Sequence, residues 1–103
     1  MWTALIAGYV QKGQGQDALN CFERMCHEGL SPDAVTFTCI LKACGIMGAA
    51  SKGKQVHDDI AKQGLLAKNV LLRNSLVAMY AKCGAFAKAH AVLELILLAP
   101  GTL

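Results

Sequence analysis

The chain has 103 residues, of which 54% are hydrophobic, 17% charged and 6% aromatic, and this composition is typical of one small folded domain rather than of a disordered segment. Ten Lys and Arg residues against seven Asp and Glu residues give a formal net charge of +3, which permits contact with phosphate groups but does not require it. The longest apolar stretch, residues 91–99, contains Glu94 and is too short to cross a bilayer. We therefore expect a single domain with no membrane-spanning segment and no membrane partner.

Apolar residues with helical spacing recur along the chain at a period close to 35 residues. Each copy begins with a stripe of positions i, i+3, i+4, i+7 and i+8, which is typical of an amphipathic helix. A second stripe starts 16 residues after the first in every copy, so the pattern predicts paired helices. The first stripes start at Trp2, Phe37 and Arg73, and the second stripes start at Ala18, Gly53 and Ala89.

A glycine lies at the same position between the two stripes of every copy, at Gly13, Gly48 and Gly84. Glycine adopts a positive φ without strain, so these residues predict the turn of a helical hairpin. The small residue at the start of each second stripe predicts a close approach of two helix backbones. The sequence thus predicts an all-α fold, an α-solenoid of helix-turn-helix repeats with about six helices. Its three units are residues 1–33, 34–69 and 70–103.

Two families of paired-helix repeats are compatible with this pattern. The first unit resembles the tetratricopeptide signature W-x2-L-G-x2-Y followed by A-x3-F. However, the bulky residues Ile6, Leu41 and Val77 stand where that signature has glycine after leucine. The repeat spacing of 35 and then 36 residues also differs from the tetratricopeptide spacing of about 34.

Three segments instead resemble pentatricopeptide repeats, in the order found in the plant subclass that alternates long, standard and short repeats. The first unit, with WTALIAGYVQKGQGQDALNCFERMCHEGLSPD, is similar to a standard repeat that lacks its first two residues. The second, with VTFTCILKACGIMGAASKGKQVHDDIAKQG, resembles the long type, and the third, with NSLVAMYAKCGAFAKAHAVLE, resembles the short type. After Glu94 the sequence LILLAPGTL departs from the family pattern. This degenerate end and the incomplete first repeat favour the hypothesis of a truncated gene product.

The resemblance implies that the first helices bind single-stranded RNA, with one base contacted per repeat. The contacting residues in the family are the side chain ahead of the first leucine and the last residue of the repeat. By resemblance these pairs are Thr3 with Asp33 and Thr38 with Asn69, while Asn74 has no clear partner. The family pattern implies a preference for G, then A, then a pyrimidine. Hydroxyl, amide and carboxylate groups suit hydrogen bonds to a Watson–Crick edge.

Each of these residues also has a purely structural interpretation. Asp33 is typical of a helix N-cap, and Thr3 and Thr38 are compatible with tolerated polar positions on a helix. Lys12 and Lys82, late in the first helix of their units, resemble phosphate-contacting lysines of the family but are equally typical of a solvated surface. Further candidates of the same kind are Lys42, Lys52 and Lys54.

The cysteines and histidines do not form a recognisable catalytic or metal-binding motif. A zinc deaminase needs H-x-E together with P-C-x-x-C, and neither pattern occurs in the sequence. We expect the five cysteines to be reduced and buried in the core, and His57 and His90 to be packed residues rather than ligands or bases. The sequence therefore predicts a protein that is not an enzyme and that has no cofactor and no metal.

The function implied by the resemblance is RNA binding in organellar RNA editing or processing, with a single-stranded transcript as partner and editing-complex proteins as further partners. A location in a mitochondrion or plastid is implied by the family alone, because we see no transit peptide in the chain. Two alternatives stay open. One is a protein-interaction solenoid of the tetratricopeptide type. The other is a truncated fragment without function, since three bases at about 1–3 kcal/mol each bind weakly.

Overall fold

The computed structural model describes the backbone of residues 2–98 and the side chains of residues 2–94. Every regular element in this range is an α-helix, which confirms the all-α prediction. Six long helices agree with the sequence pattern, and a seventh helix of a single turn lies in the connection between the fourth and the last two. In chain order they are α1 Trp2–Gln11, α2 Gly15–His27, α3 Ala34–Met47, α4 Ala50–Lys62, α5 Leu65–Lys68, α6 Val70–Lys82 and α7 Phe86–Leu98.

The long helices form two layers. The first layer consists of α1, α3 and α6, which pack side by side because α3 contacts both of the others. In the second layer, α2 packs against α1 and α3, α4 packs against α3 and α6, and α7 packs against α6. This stacking of helical hairpins is the solenoid that the sequence predicts. The predicted degenerate end comprises residues 95–103. The side chains of these residues lie outside the described part of the chain, as does the backbone beyond residue 98.

Residues of the predicted apolar stripes form one continuous core between the two layers. Phe37, Ile40 and Leu41 of α3 are fully buried at its centre. The ring centroid of Phe37 lies 6.2 Å from that of Phe22 on α2, a separation within the range of favourable aromatic contacts. The middle hairpin therefore joins the first helix pair to the last one, through contacts of α3 with α1 and α2 and of α3 and α4 with α6.

The turns of the three hairpins contain the predicted glycines. Gly13, Gly48 and Gly84 have φ values of 75°, 64° and 78°, which confirms the predicted positive φ. The close approach predicted at Gly53 has a different partner, because a Cβ atom there would overlap the side chain of Met79 on α6. A side chain of the following helix pair, rather than a helix backbone, therefore fills the space that Gly53 leaves.

The cysteines are free thiols, but not all are buried. Cys21 and Cys44 are buried, as predicted, and burial raises the pKa of the Cys44 thiol to about 11. The prediction is wrong for Cys26, which is exposed. Met25 faces the core, and the next residue of a helix lies about 100° further round its axis. The remaining two, Cys39 and Cys83, are half-buried.

The two histidines expected to be packed differ in their surroundings. His57 on α4 is half-buried, and its Nδ1 lies 2.8 Å from the hydroxyl oxygen of Tyr80 on α6. For His90 the prediction is wrong, because its side chain is 69% exposed and its Nε2 lies 2.9 Å from Glu94 Oε1. On α7 the side chain of Val92, two residues later, is buried in the core instead. His57 therefore helps to join two helix pairs, whereas His90 lies on the surface.

We predict that His57 makes the stability of the fold depend on pH. Burial lowers the pKa of His57 below its ordinary value, so the unfolded state takes up the proton first as the pH falls. The free energy of unfolding should therefore decrease as the pH falls through the ordinary histidine pKa of about 6.5, and the decrease should end once the pH is below the lower pKa of the folded state. In His57→Gln this decrease should be smaller. Urea unfolding at several pH values measures it, and equal pH dependence in the two proteins would contradict the prediction.

Candidate nucleic-acid interface

The three residues predicted to contact bases from the first helices lie near the start of neighbouring helices. Thr3 is the second residue of α1, and Thr38 and Asn74 are the fifth residues of α3 and α6. The helices run in the same direction, because Thr3 near the start of α1 contacts Thr36 near the start of α3, and Lys82 at the end of α6 packs on Gly45 near the end of α3. The structure thus places all three residues at one end of the first layer.

Thr3 and Asp33, the first predicted pair, are joined through a third residue. Thr3 Oγ1 lies 2.7 Å from Thr36 Oγ1, which lies 2.8 Å from Asp33 Oδ1. The backbone N–H of Thr36 also donates to Asp33 Oδ1 at 2.9 Å. Asp33 is therefore the N-cap of α3, as its structural interpretation predicts. The cap position and the predicted contact with a base are compatible, because the side chain of Thr36 is buried while Asp33 is exposed.

The direction of these hydrogen bonds follows from the charge of Asp33. The two hydrogen bonds from Thr36 hold the pKa of the Asp33 carboxyl below its usual value, so it is ionised at neutral pH and can only accept. The single hydroxyl proton of Thr36 is donated to Asp33, and Thr36 must therefore accept from Thr3. Both bonds from Thr36 end on Asp33 Oδ1. Asp33 Oδ2 and the lone pairs of Thr3 Oγ1 remain as acceptors.

Thr38 and Asn69, the second predicted pair, are held separately. Thr38 Oγ1 donates to the carbonyl oxygen of Ala34 at 2.8 Å. Asn69 is the N-cap of α6, and its Oδ1 accepts from the backbone N–H of Leu72 at 3.2 Å. Within residues 2–94, no hydrogen bond joins Thr38 to Asn69. This arrangement leaves Thr38 with acceptor lone pairs and Asn69 with a free amide NH2 group that can donate.

Lys82 lines a cleft between α3 and α6. Its stem lies close to Gly45, where an added Cβ atom would be 3.1 Å from Lys82 Cδ. The cleft has a volume of about 90 Å³ and is also lined by Lys42 and Ser75. Lys42 follows Thr38 by four residues on α3 and Lys82 follows Asn74 by eight on α6, so each shares a helix face with the predicted base contact. Two lysines therefore lie on the face that carries Thr38 and Asn74.

Lys12 does not lie on the same helix face as its predicted base contact, Thr3. The position eight residues after Thr3 is Gln11, the last residue of α1, and Lys12 follows it in the turn. The prediction that Lys12 lies within the first helix is therefore wrong by one residue. Its N–H still bonds to the carbonyl of Gly8 at 3.2 Å, but one residue corresponds to a rotation of about 100° about the helix axis. Lys12 is exposed and lines a shallow pocket beside Leu5 on α1.

Two other candidate lysines form ion pairs on α4, in the second layer. Lys52 Nζ lies 3.1 Å from Glu23 Oε1, and Lys54 Nζ lies 3.0 Å from Asp58 Oδ1. Their charges are thus matched by neighbouring carboxylates.

The structure adds three residues that the sequence interpretation did not single out. Thr36 is 1% exposed, and the signal for it is its place three residues after an N-cap aspartate, where a side chain can turn back to the cap. Val35 and Leu71 are 60% and 61% exposed, and each lies three residues before a predicted base contact, on the same helix face. The sequence signal for Val35 and Leu71 is that each is an apolar residue outside the buried stripe of its helix. The predicted base contact Asn74 is also exposed.

The part of the chain that the structure describes contains neither a candidate metal site nor a candidate membrane span. Among its described residues there is no group of three His, Cys, Asp or Glu side chains that could hold a metal ion. None of the helices described is both long enough and apolar enough to span a bilayer.

Comparisons with known proteins agree with the repeat pattern. The family model of the PPR repeat family matches residues 1–45. A chloroplastic pentatricopeptide repeat-containing protein of Arabidopsis thaliana is 42% identical over 95 residues, which are 92% of this chain and 18% of that protein. A second from the same plant is 41% identical over 95 residues, 92% of this chain and 12% of that protein. A mitochondrial one is 40% identical over 83 residues, 81% of this chain and 9% of that protein. The chain spans less than a fifth of the length of these relatives, and it belongs to the pentatricopeptide repeat family.

Proposed function

We propose that the chain is an RNA-binding module in which α1, α3 and α6 bind single-stranded RNA, with one base per helical repeat. The family is one of RNA-binding proteins that act in organellar RNA processing, which supports the general part of the proposal. In this proposal residues 1–33, 34–69 and 70–103 are a standard, a long and a short repeat of the plant subclass. The observation that carries the proposal is the set of donors and acceptors left free on the two predicted residue pairs.

The first pair, Thr3 and Asp33, offers acceptors only. The hydroxyl proton of Thr3 is donated to Thr36, and the carboxylate of Asp33 is ionised. Guanine carries two adjacent donors, N1–H and N2–H2, on its Watson–Crick edge, and these match two acceptors. Adenine would instead bring its N1 acceptor against an acceptor. This pair is therefore proposed to select guanine.

The second pair, Thr38 and Asn69, offers one acceptor and one donor. Thr38 Oγ1 can accept because its proton is directed to Ala34, and Asn69 can donate because its oxygen caps α6. Adenine presents the complementary edge, with the N6 amino group as donor and N1 as acceptor. Guanine would bring its N1–H donor against the amide NH2 group. Cytosine presents the same order of donor and acceptor, and the family pattern of Thr with Asn favours adenine, so this pair is proposed to select adenine.

The third base is assigned to Asn74, whose exposed amide carries both a donor and an acceptor. The family pattern favours a pyrimidine at this position, and we propose the same here. Val35 and Leu71 offer apolar surface one helical turn before Thr38 and Asn74, which suits contact with the faces of unstacked bases. Lys42 and Lys82 are proposed to bind the phosphates beside them.

We further propose that the chain acts in a chloroplast or a mitochondrion, because similar proteins are named chloroplastic and mitochondrial. Its role in the proposal is to bind RNA, not to catalyse a reaction. If the transcript is edited, the chemical step belongs to editing-complex proteins that the bound chain positions. The RNA, and not a cofactor or metal, is then its defining ligand.

Fluorescence anisotropy with labelled single-stranded RNA tests the proposal. One RNA contains the sequence G-A-C, and its control carries the same bases with guanine and adenine exchanged. The folded chain should bind the first more tightly, and binding should weaken as salt rises. Titration must extend to high protein concentration, since each contact contributes only about 1–3 kcal/mol. Equal binding of the two RNAs, or no binding by the folded chain, would contradict the proposal. No binding would instead favour a fragment without function, and binding of an extended peptide would favour a protein-interaction solenoid.

A phosphate contact by Lys82 leads to a separate prediction. Lys82→Ala should weaken the binding of all RNAs by a similar factor, because a phosphate contact carries no base information. The slope of log affinity against log salt should become shallower by about 0.7. Lys54→Ala is the matched control, since Lys54 is paired with Asp58 in the second layer, and it should leave both quantities unchanged. A change in base preference in Lys82→Ala would contradict the prediction.

A further inference from the structure

The buried hydroxyl of Thr36 links the two side chains assigned to the first base. Thr36 is 1% exposed, so a base in the groove cannot contact it directly. Its hydroxyl nevertheless lies 2.7 Å from Thr3 Oγ1 and 2.8 Å from Asp33 Oδ1. Thr3 and Asp33 are 30 residues apart in the sequence, and Thr3 lies in α1 whereas Asp33 caps α3. The Thr36 hydroxyl therefore connects Thr3 to Asp33 by two hydrogen bonds.

A threonine hydroxyl has one proton, so the chain of hydrogen bonds has one direction. Asp33 is ionised and can only accept, and it takes the proton of Thr36. Thr36 must then accept the proton of Thr3. Without the Thr36 hydroxyl, the Thr3 hydroxyl would be free to rotate, and its proton could be donated to a base. Thr3 would then tolerate an acceptor, such as N1 of adenine, as well as a donor.

We propose that Thr36 is a positioning residue that gives the first repeat its base specificity, by fixing the Thr3 hydroxyl as an acceptor and holding Asp33 beside it. This inference rests on the proposed RNA-binding function. It names the group that makes the first pair select guanine, although that group does not touch the RNA. Loss of its hydroxyl should relax base selection while leaving the phosphate contacts, and hence general RNA binding, in place.

The second repeat provides a comparison within the same chain. Leu72 lies three residues after the N-cap Asn69, as Thr36 lies three residues after Asp33, and both side chains are buried. Leucine has no hydroxyl, and Thr38 directs its proton to the carbonyl of its own helix at Ala34 instead. Selection at the second base should therefore not depend on Thr36.

The test compares Thr36→Val, which removes the hydroxyl, with Thr36→Ser, which keeps it. Anisotropy is measured with G-A-C RNA and with two RNAs that change the first or the second base. In Thr36→Val the preference for guanine at the first base should fall by roughly fivefold or more, while the preference for adenine at the second base is retained. Thr36→Ser, which keeps the hydroxyl, should retain the preference for guanine at the first base. NMR titration should also show that the pKa of Asp33 rises in Thr36→Val, since a donor to its carboxylate is lost.

Circular dichroism establishes that each variant is folded. Thr36→Ala is the second variant, because it removes the hydroxyl without placing a methyl group against the Asp33 carboxylate. An unchanged guanine preference in a folded variant without the hydroxyl would overturn the role of Thr36 and leave the proposed function intact. Loss of the guanine preference in a folded Thr36→Ser variant would also overturn the role of the Thr36 hydroxyl and leave the proposed function intact. If the unmodified chain shows no base preference at all, the proposed function itself fails, and the role of Thr36 fails with it.

Discussion

Replacing Phe37 with alanine should lower the free energy of unfolding by about 3–5 kcal/mol. Phe37 is fully buried at the centre of α3, and its ring packs against that of Phe22 on α2. Removing the ring loses its burial and leaves a cavity between the two layers. Since small domains are stable by only about 5–15 kcal/mol, this is a large fraction of the total. Urea unfolding followed by far-ultraviolet circular dichroism measures the change.

Phe86→Ala is the matched control for this prediction. Phe86 is the same residue type at the start of α7, but it is 69% exposed. Its replacement should change the free energy of unfolding by no more than about 0.5 kcal/mol. Similar losses in the two variants would contradict the placement of Phe37 at the centre of the core.

The largest expected effect on recognition is a change of base preference in Asp33→Asn. Asparagine caps a helix about as well as aspartate, so its oxygen should keep the bonds from Thr36 and the fold should be retained. The free group then becomes an amide NH2 donor instead of a carboxylate oxygen. The first pair would thus offer one acceptor and one donor, as Thr38 and Asn69 do. The preference at the first base should move from guanine towards adenine by about 1–3 kcal/mol, or roughly 5- to 150-fold.

Asn69→Asp is the reciprocal variant. It should keep the cap of α6 and move the preference at the second base from adenine towards guanine. Anisotropy with RNAs that differ at one base measures both changes. The account would be contradicted if either variant, while folded, kept its original base preference, because Asp33 and Asn69 would then cap their helices without contacting bases.

The repeat pattern made most of the fold predictable. The spacing of the apolar stripes depends only on local helix geometry, so the six long helices follow from it. Gly13, Gly48 and Gly84 mark the hairpin turns because their backbone conformation is one that glycine favours. The single turn α5 did not follow, because Leu65–Lys68 is too short to show a helical period.

The details of side-chain orientation were less predictable. Cys26 and His90 lie one residue from a buried position, and a single step along a helix turns a side chain from the core to the solvent. The prediction for Lys12 failed by a similar margin, because α1 ends at Gln11, one residue before it. The bond between Thr3 and Thr36 joins residues 33 apart in the sequence. Such a contact depends on how two helices pack, and no local pattern contains that information.

NMR mapping of RNA on the isotopically labelled chain tests the central claim most directly. The claim is that the starts of α1, α3 and α6 form the RNA-binding surface. Addition of G-A-C RNA should shift the amide signals of Thr3, Asp33, Thr38 and Asn74, with little change along α4 and α7. Shifts confined to the second layer, or an unchanged spectrum at high RNA concentration, would contradict the claim.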